Sequence, residues 1–569
     1  MSKIAFTPNA NGSGVFTLAS PNSNTNRTLT LPDVSGTVLT STVTSDLTLS
    51  DGADLITATA GTSNLRAGVN AGNSITSGGN YNVTVGDEAG TAITTGDQIT
   101  AVGYEAGAAM TTNSQSSFFG YHAGLATTGS GNNFFGTFAG EGNTSGINNV
   151  AMGNLALRTN VDGDDNVAIG SNALRYLEPA DGSSYNTAVG SQAGINVTTG
   201  IKNTLIGGRA GDALTDADFN VAIGESALSA DTLGSRSVAM GTGALAEQNF
   251  TTATDSYNTA VGAFAGNTVT TGISNTLIGG LAGDAITDAD WNVSLGYRSL
   301  SSNTVGSKSV AIGSYALDVQ NPASATDMYN VAVGHFAGSA LTTGTGNTFV
   351  GGASGESITT GSNNVVIGPY SGNSGGLDIR TSSNNIVLSD GGGAVRVLVD
   401  SSANFLVGKT SASIDVDGFM VHNGDYINST NSSGSAAYFN RKGSDGDIVN
   451  FQNDGSSVGS ISVSGSSTSY NTSSDYRLKE NVDYTWNATT RLKQLKPARF
   501  NFIVDADTTV DGFLAHEVAT VVPEAINGAK DAVDADGNPE YQGIDQSKLV
   551  PLLVKTIQEL EARITALEA

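Results

Sequence analysis

Between residues 81 and 376, apolar and polar positions recur at a fixed interval. The unit reads Asn-x-(Ala or similar)-(Val, Ile or Leu)-Gly-x-x-(Ala or Ser)-(Gly or Leu), with marker glycines from Gly86 and Gly103 through to Gly351 and Gly368. Most steps are 17 residues, and steps of 20, 21 and 21 precede Gly190, Gly262 and Gly334. A second period is laid over the first. Segments 185–256 and 257–328 are each 72 residues long and agree at about 46 positions. A 17-residue unit is too short to fold alone and buries an apolar face only against its neighbours. The pattern therefore predicts a stacked β-roll or β-helix. Each rung has a short Val/Ile strand and a Gly corner that permits positive φ and close backbone approach. Ala or Ser fills the tight interior. Recurrent Asn186, Asn203 and Asn220, then Asn258, Asn275 and Asn292, are expected to stack into an inter-rung ladder.

The flanks read differently. Residues 1–80 alternate in strings such as Thr28-Leu29-Thr30-Leu31-Pro32 and predict short strands and turns. Residues 377–473 lose the 17-residue period, but Val395–Val399 and 404–408 read as strands, which makes this a separate β-rich module. Residues 474–569 are richer in charge and end in a helix. There Val550, Leu553, Ile557, Leu560, Ile564 and Leu567 fall 3, 4, 3, 4 and 3 residues apart, the spacing of a coiled-coil seam.

Composition narrows the function classes. Glycine is 73 of 569 residues and charged residues are 14%; with apolar residues at fixed intervals, this indicates an ordered repeat. A net charge of −27 argues against nucleic-acid or anionic-membrane binding. Cysteine is absent, so no disulfide or thiolate metal site is expected. No apolar run is long enough to span a membrane, and the start, Met-Ser-Lys-Ile-Ala-Phe, lacks a signal-peptide core. Synthesis in a cytoplasm without export by the usual N-terminal route is expected. Asp212, Asp216 and Asp218 recur as Asp284, Asp288 and Asp290. A calcium site is conceivable for carboxylates, but their spacing is not that of an EF-hand loop, and they read as solvated loop positions. His122 and His335 read as surface positions. No metal or cofactor is expected. Aromatics are 7% of the chain, and outside 377–473 they offer no obvious platform for stacking sugars.

Three resemblances add to this reading. The run at 22–38, NSNTNRTLTLPDVSGTV, resembles the N-terminal leader of phage tail fibres and implies a virion-attachment segment that meets tail or baseplate proteins. The repeat resembles the left-handed β-roll heads of trimeric autotransporter adhesins. The string Ser474-Asp475-Tyr476-Arg477-Leu478-Lys479-Glu480-Asn481-Val482 opens a segment similar to the intramolecular chaperone of endosialidases and related tail fibres. The similarity continues through Leu495-Lys496-Pro497-Ala498-Arg499-Phe500, Asp511-Gly512-Phe513-Leu514-Ala515-His516-Glu517 and Ile544-Asp545-Gln546-Ser547-Lys548-Leu549. Many relatives carry Gln at the position of His516. The resemblance implies a domain that trimerises the upstream fibre and then cuts itself off between Ser473 and Ser474, with Ser474 as nucleophile and Lys479 as base. The pairing is chemically sound, because a serine hydroxyl needs a neighbouring base. Lysine is a base only when burial or nearby positive charge lowers its pKa. Arg477 is a candidate for that charge, and His516 is a candidate for orienting the site or binding an oxyanion.

The expected whole is a mainly β, trimeric β-roll or β-helix fibre with a small α+β chaperone domain ending in a coiled-coil helix. Its divisions are a leader (1–80), the solenoid (81–376), a distal module that is a possible receptor-binding part (377–473) and the chaperone (474–569). The expected role is that of a phage tail fibre in the virion, assembled in a host cytoplasm. It would bind a host surface glycan or protein receptor, its only chemistry being release of its own C-terminal domain. A long interwoven β-trimer would gain from a domain that gathers three chains first, since non-local β pairing is slow. The alternatives are a tailspike that depolymerises glycan, which needs paired carboxylates across a cleft, and a cellular trimeric surface adhesin.

Overall fold

Most rungs of the repeat start at a buried asparagine. Asn220 precedes the strand Val221–Ile223, in which Ala222 is fully buried while Val221 and Ile223 lean outward. At the strand's end Gly224 has φ +135°, and a Cβ there would lie 2.5 Å from the carbonyl oxygen of Gly241 in the next rung. The corner therefore excludes every larger residue. Ala227 and Leu228 then turn inward. Seventeen residues on, Val238–Met240 repeats the strand, with Val221, Ala222 and Ile223 in parallel register with Val238, Ala239 and Met240.

The computed structural model describes residues 60–569, apart from 180, 181, 425 and 536. The leader resemblance at 22–38 lies outside the described residues. The chain forms two compact units that divide between Ala436 and Ala437.

The first unit is a β-solenoid of about 19 turns, its parallel ladder running from Leu65–Ala67 to Ile386–Ser389. It thus starts earlier and ends later than the expected limits of 81 and 376. The first step, Gly68 to Gly86, is one residue too long for the period, and the last rung has Ser389 where the others have a corner glycine. After Ser389 the sheet continues as an antiparallel meander through Val395–Val399, Phe405–Val407, Gly418–Val421 and Ile427–Thr430. The ladder pairs each rung with the next rung of the same chain. This corrects the expectation of an interwoven sheet: one 17-residue unit completes a turn, so strand pairing here needs no second chain.

The Asn ladder holds the stack together. Asn203 Oδ1 accepts the Asn220 backbone N–H at 3.0 Å, and Asn220 Nδ2 donates to the Gly234 carbonyl at 2.9 Å. Each side chain thereby satisfies buried backbone groups in neighbouring rungs, which would otherwise be left unpaired at considerable cost. The ladder is interrupted at Ile99 and Ser116, and again at Ser237 and Ser309, the rungs before the 21-residue steps. There Gln248 bridges Ser237 Oγ (2.8 Å) and Asn258 Nδ2 (2.9 Å). Gln320 does the same for Ser309 and Asn330 one long repeat later. Beside Gln248, the buried Asp231 accepts from Gln248 Nε2 and from the Gly234 and Phe250 amides. Burial nevertheless pushes its carboxyl above the ordinary range.

Interior volume is balanced across rungs. Phe349, fully buried at a strand centre, sits between Gly338 and Gly355, where an added Cβ would lie 2.7 and 2.6 Å from its ring. Where the centre is only Ala222, the facing position is Leu228 instead.

Several polar positions are more engaged than expected. Asp218 and Asp290 accept the backbone N–H of Ile201 and Ile273 in the preceding rung, at 2.8 and 2.7 Å. They are inter-rung caps, not solvated loop groups. Asp216 accepts from Thr199, Asp284 from Ser301 and Asp288 from Thr287, while one Asp212 oxygen is buried without a hydrogen bond. His122 is not a free surface residue. It lies between Glu105 (3.1 Å) and Glu141 (3.5 Å), with its ring stacked 3.9 Å from that of Tyr121. His335 packs edge-on to Phe336.

The second unit opens with an antiparallel sheet, Gly446–Asn453, Ser456–Ser464 and Ser467–Thr472. The expected module 377–473 is therefore split, its first part extending the solenoid sheet and its last part belonging with the C-terminal domain. That domain contains helix α1 (Ala488–Leu492), a hairpin (Ala498–Phe502 with Asp505–Gly512), helix α2 (Ala515–Val518) and the terminal helix α3 (Val550–Glu568). Its small core is Ala488, Val518, Val522, Ala525, Leu549 and Leu552. No helix among the described residues is long and apolar enough to cross a membrane.

Candidate functional site

Ser473 follows the last strand of the sheet and stays attached to it, its N–H donating to the Val458 carbonyl at 3.2 Å. The chain then enters a single 3-10 turn, Tyr476–Leu478. Asp475 caps the turn by accepting the Arg477 backbone N–H at 2.8 Å. The turn closes with the Lys479 N–H donating to the Tyr476 carbonyl. This reversal brings residue 479 back over residue 474, and Lys479 Nζ donates to Ser474 Oγ at 2.7 Å. A nucleophile–base pair needs this contact, and the turn is what brings these two residues, five apart in sequence, into it.

Arg477 does not take the role considered for it. Its guanidinium is held by the Asp475 carboxylate through two contacts of 2.9 and 2.8 Å. That pair holds Asp475 below the usual carboxylate range. Arg477 thus braces the turn, and its charge is offset by Asp475 before it can act on Lys479. Asp475 is not singled out by the sequence because its task, capping a one-turn helix, leaves no spacing signature beyond a common Asx turn. His516 lies exposed on α2, and no described hydrogen bond joins it to Ser474 or Lys479. Residues 471–480 are all exposed in the single chain.

The rest of the domain fastens the two ends of its sequence together. Glu559 of α3 receives the Ala488 and Thr489 backbone N–H groups and the Thr489 hydroxyl at the start of α1. Arg491 reaches the Val521 carbonyl and the Glu524 carboxylate. Lys555 donates to the Tyr484 carbonyl at 3.0 Å. The core-facing side of α3 is buried through Leu552 and Thr556. The heptad seam lies on the exposed side, with Val550 53%, Leu553 46%, Ile557 62%, Leu560 42%, Ile564 54% and Leu567 86% accessible. An apolar groove of about 590 Å³ adjoins the start of the seam, lined by Leu492, Leu495, Phe513, Leu549, Val550 and Leu553.

Residues 474–527 match the family described as chaperone of endosialidase. No curated protein and no solved structure matches the chain. The family match begins at Ser474 itself, the residue that the turn presents to Lys479. The C-terminal part of this chain is therefore the intramolecular chaperone domain of the endosialidase and tail-fibre family.

Proposed function

We propose that this chain is the subunit of a homotrimeric phage tail fibre that attaches the virion to a host surface. Its chaperone domain gathers three chains and then cuts itself off between Ser473 and Ser474. The observation that carries the reading is the 2.7 Å contact of Lys479 Nζ with Ser474 Oγ at the first residue of the matched family segment.

The chemistry follows from that contact. Lys479 in its neutral form takes the proton of Ser474 Oγ as the oxygen attacks the Ser473 carbonyl carbon. The C–O bond forms and the C–N bond breaks, and Lys479 returns the proton to the departing Ser474 nitrogen. Residues 473 and 474 are then joined through an ester on the Ser474 side chain. Water hydrolyses it, leaving a carboxylate on Ser473 and restoring the hydroxyl of Ser474. The attack is on the adjacent peptide, so proximity supplies part of the rate. Lysine serves as a base once it is desolvated. Covering the exposed 471–480 segment on assembly would supply that condition, so cleavage would follow trimerisation.

Two apolar surfaces support self-association. One is the seam of α3. The other is the outward face of the solenoid strands, where Met152, Met240, Leu295 and Ile367 are 39–46% accessible along one continuous strip. Apolar residues exposed in a contiguous line are the kind of surface that protein–protein contacts cover. The test is intact-mass measurement of purified protein. Cleavage yields a 96-residue fragment beginning at Ser474, and an uncut chain would make the domain a permanent cap instead.

A further inference from the structure

The residue just before each ladder position, whether asparagine or the Ser or Ile that replaces it, forms a column along one corner of the solenoid, and every such residue lies in the left-handed backbone region. Tyr185, Lys202, Phe219, Arg236 and Tyr257 have φ of 50, 57, 58, 63 and 50°. Ser274, Trp291, Lys308 and Tyr329 continue the column at 58, 54, 62 and 50°. Elsewhere the same column holds Ser63, Tyr81, Gln98, Gln115 and Asp165 together with Gly131, Asn148, Gly346, Asn363 and Asn384, and of these glycine and asparagine tolerate the conformation best. The large aromatic residues from 185 to 329 incur backbone strain, and they remain 40–58% accessible, so burial does not compensate for it. Strain held at an exposed position points to function.

The order along the column is regular. Over nine consecutive rungs, 185 to 329, an aromatic residue stands at every second rung. Rungs stack about 4.8 Å apart, so aromatics recur about every 10 Å, the rise of two sugar units in an extended glycan. Cations stand between them. Lys202 and Arg236, from the rungs on either side, lie over the same ring, Phe219, at 5.0 and 4.8 Å, and Lys308 lies 5.3 Å from both Trp291 and Tyr329. Asp255 and Asp327 offset two of these cations, pairing with Arg236 at 2.9 Å and Lys308 at 2.6 Å. They also accept the hydroxyls of Tyr257 and Tyr329. The two 72-residue copies retain this chemistry, with Tyr185 and Tyr257, Phe219 and Trp291, and Arg236 and Lys308 in matching places. A second left-handed column does not, since Gln192 becomes Phe264 and Ser226 becomes Arg298.

We infer that the corner from Tyr185 to Tyr329 binds a linear, uncharged polysaccharide lying along the solenoid axis. Aromatic rings every second rung give apolar contact to every second sugar, and the Arg–Asp and Lys–Asp pairs between them supply donors and acceptors for hydroxyls. An uncharged polymer suits offset ion pairs on a chain of net charge −27. A second copy of the chain suits the corner less, because charged residues are depleted from the centres of protein interfaces, and the Val/Ile strand face is the apolar one. The line is not obvious in the sequence, because the 17- and 21-residue steps gather aromatics scattered along the chain into one column only in the fold. This inference names the receptor class and site of the attachment role proposed above.

The test is electrophoresis of the full chain through native gels containing hydroxyethylcellulose, glucomannan or alginate. Its counterpart is the variant carrying Tyr257→Asn, Trp291→Asn and Tyr329→Asn, changes the column already accepts at Asn148 and Asn363. The expected result is retardation in the two neutral polymers but not in alginate. The variant should lose that retardation about tenfold or more while its melting temperature does not fall and its light-scattering mass is unchanged. Lack of retardation in both neutral gels, equal retardation of the variant, a lowered melting temperature (a purely structural ladder) or a changed mass (an interface between copies) would each overturn it. The mass measurement of cleavage is independent, so failure of the glycan site and failure of the fibre reading are separable.

Discussion

Glu559, near the end of the chain, accepts the hydroxyl and the backbone N–H of Thr489, 70 residues earlier, at 2.6 and 2.8 Å. With the Ala488 amide added, its carboxylate caps the start of α1 from outside and ties the terminal helix to the opening of the chaperone domain. These bonds, led by that from the Thr489 hydroxyl, hold the Glu559 carboxyl down to about 2 from an ordinary 4.5. A carboxyl depressed in the fold contributes stability above its unfolded value and loses it as pH falls through the folded value. The first prediction is that α3 loosens from α1 between pH 4.5 and about 2, and that Glu559→Gln flattens this dependence. Fluorescence of Trp486 in a Trp291→Phe background reports it, because the chain has only these two tryptophans. An identical acid profile in the Gln variant would show that another group sets it.

The second prediction concerns the ladder. Asn220→Ala removes the acceptor for the Ser237 amide and the donor to the Gly234 carbonyl. Each buried group left unpaired costs about 1–3 kcal/mol. Because a solenoid's stability is a sum of neighbouring interfaces, the loss should be local. Amide exchange should quicken in strands 204–206, 221–223 and 238–240 while distant rungs keep their protection. Uniform loss along the whole solenoid would instead mean that it unfolds as one unit.

The marker glycines make the rungs legible in the sequence, since Gly224 and its equivalents are required by backbone contact between rungs and must recur with the period. The Asn ladder is legible for the same reason. The bridge of Gln248 to Ser237 is not, because it fills a break in the 17-residue period, and its recurrence as Gln320 one long repeat later does not reveal which buried groups it joins. The end rungs escape the pattern where Gly68 falls one residue out of step and Ser389 replaces glycine. In the chaperone domain the Ser474–Lys479 pair is suggested by resemblance. The Glu559 clamp and the Asp475 brace join residues by chain reversal or across 70 positions, so no local spacing announces them.

The third prediction separates folding from assembly. Ile557 and Leu560 are exposed on α3 and lie outside the core built on Leu549, Leu552 and Ala488. Ile557→Asp should leave the single-chain fold intact, with Trp486 emission unchanged. In the proposed trimer each chain would lose about 1.5–3 kcal/mol of apolar burial and carry an unpaired charge in the seam. Light scattering should give a monomer mass where the natural chain gives a trimer. A trimer unchanged by Ile557→Asp would move the association to another surface.

The last prediction concerns the turn that presents Ser474. Ser474→Ala removes the attacking oxygen and Lys479→Ala the proton acceptor, so both chains should stay full length while the natural one releases its C-terminal 96 residues. Lys479→Arg tests the base itself, because arginine retains length and charge but does not give up its proton in a protein. It too should stay uncut. Asp475→Asn gives a graded result. It weakens the grip on Arg477 but keeps an oxygen to cap the turn. Cleavage should therefore slow without stopping, because the turn that presents Ser474 to Lys479 is held less firmly. None of the four changes touches the seam, so light scattering should give the same mass for each full-length assembly. Time courses on denaturing gels, with N-terminal sequencing of the small fragment, measure all of this. Release of a fragment beginning at Ser474 from Lys479→Arg would remove lysine from the mechanism and leave the 2.7 Å contact as a purely structural hydrogen bond.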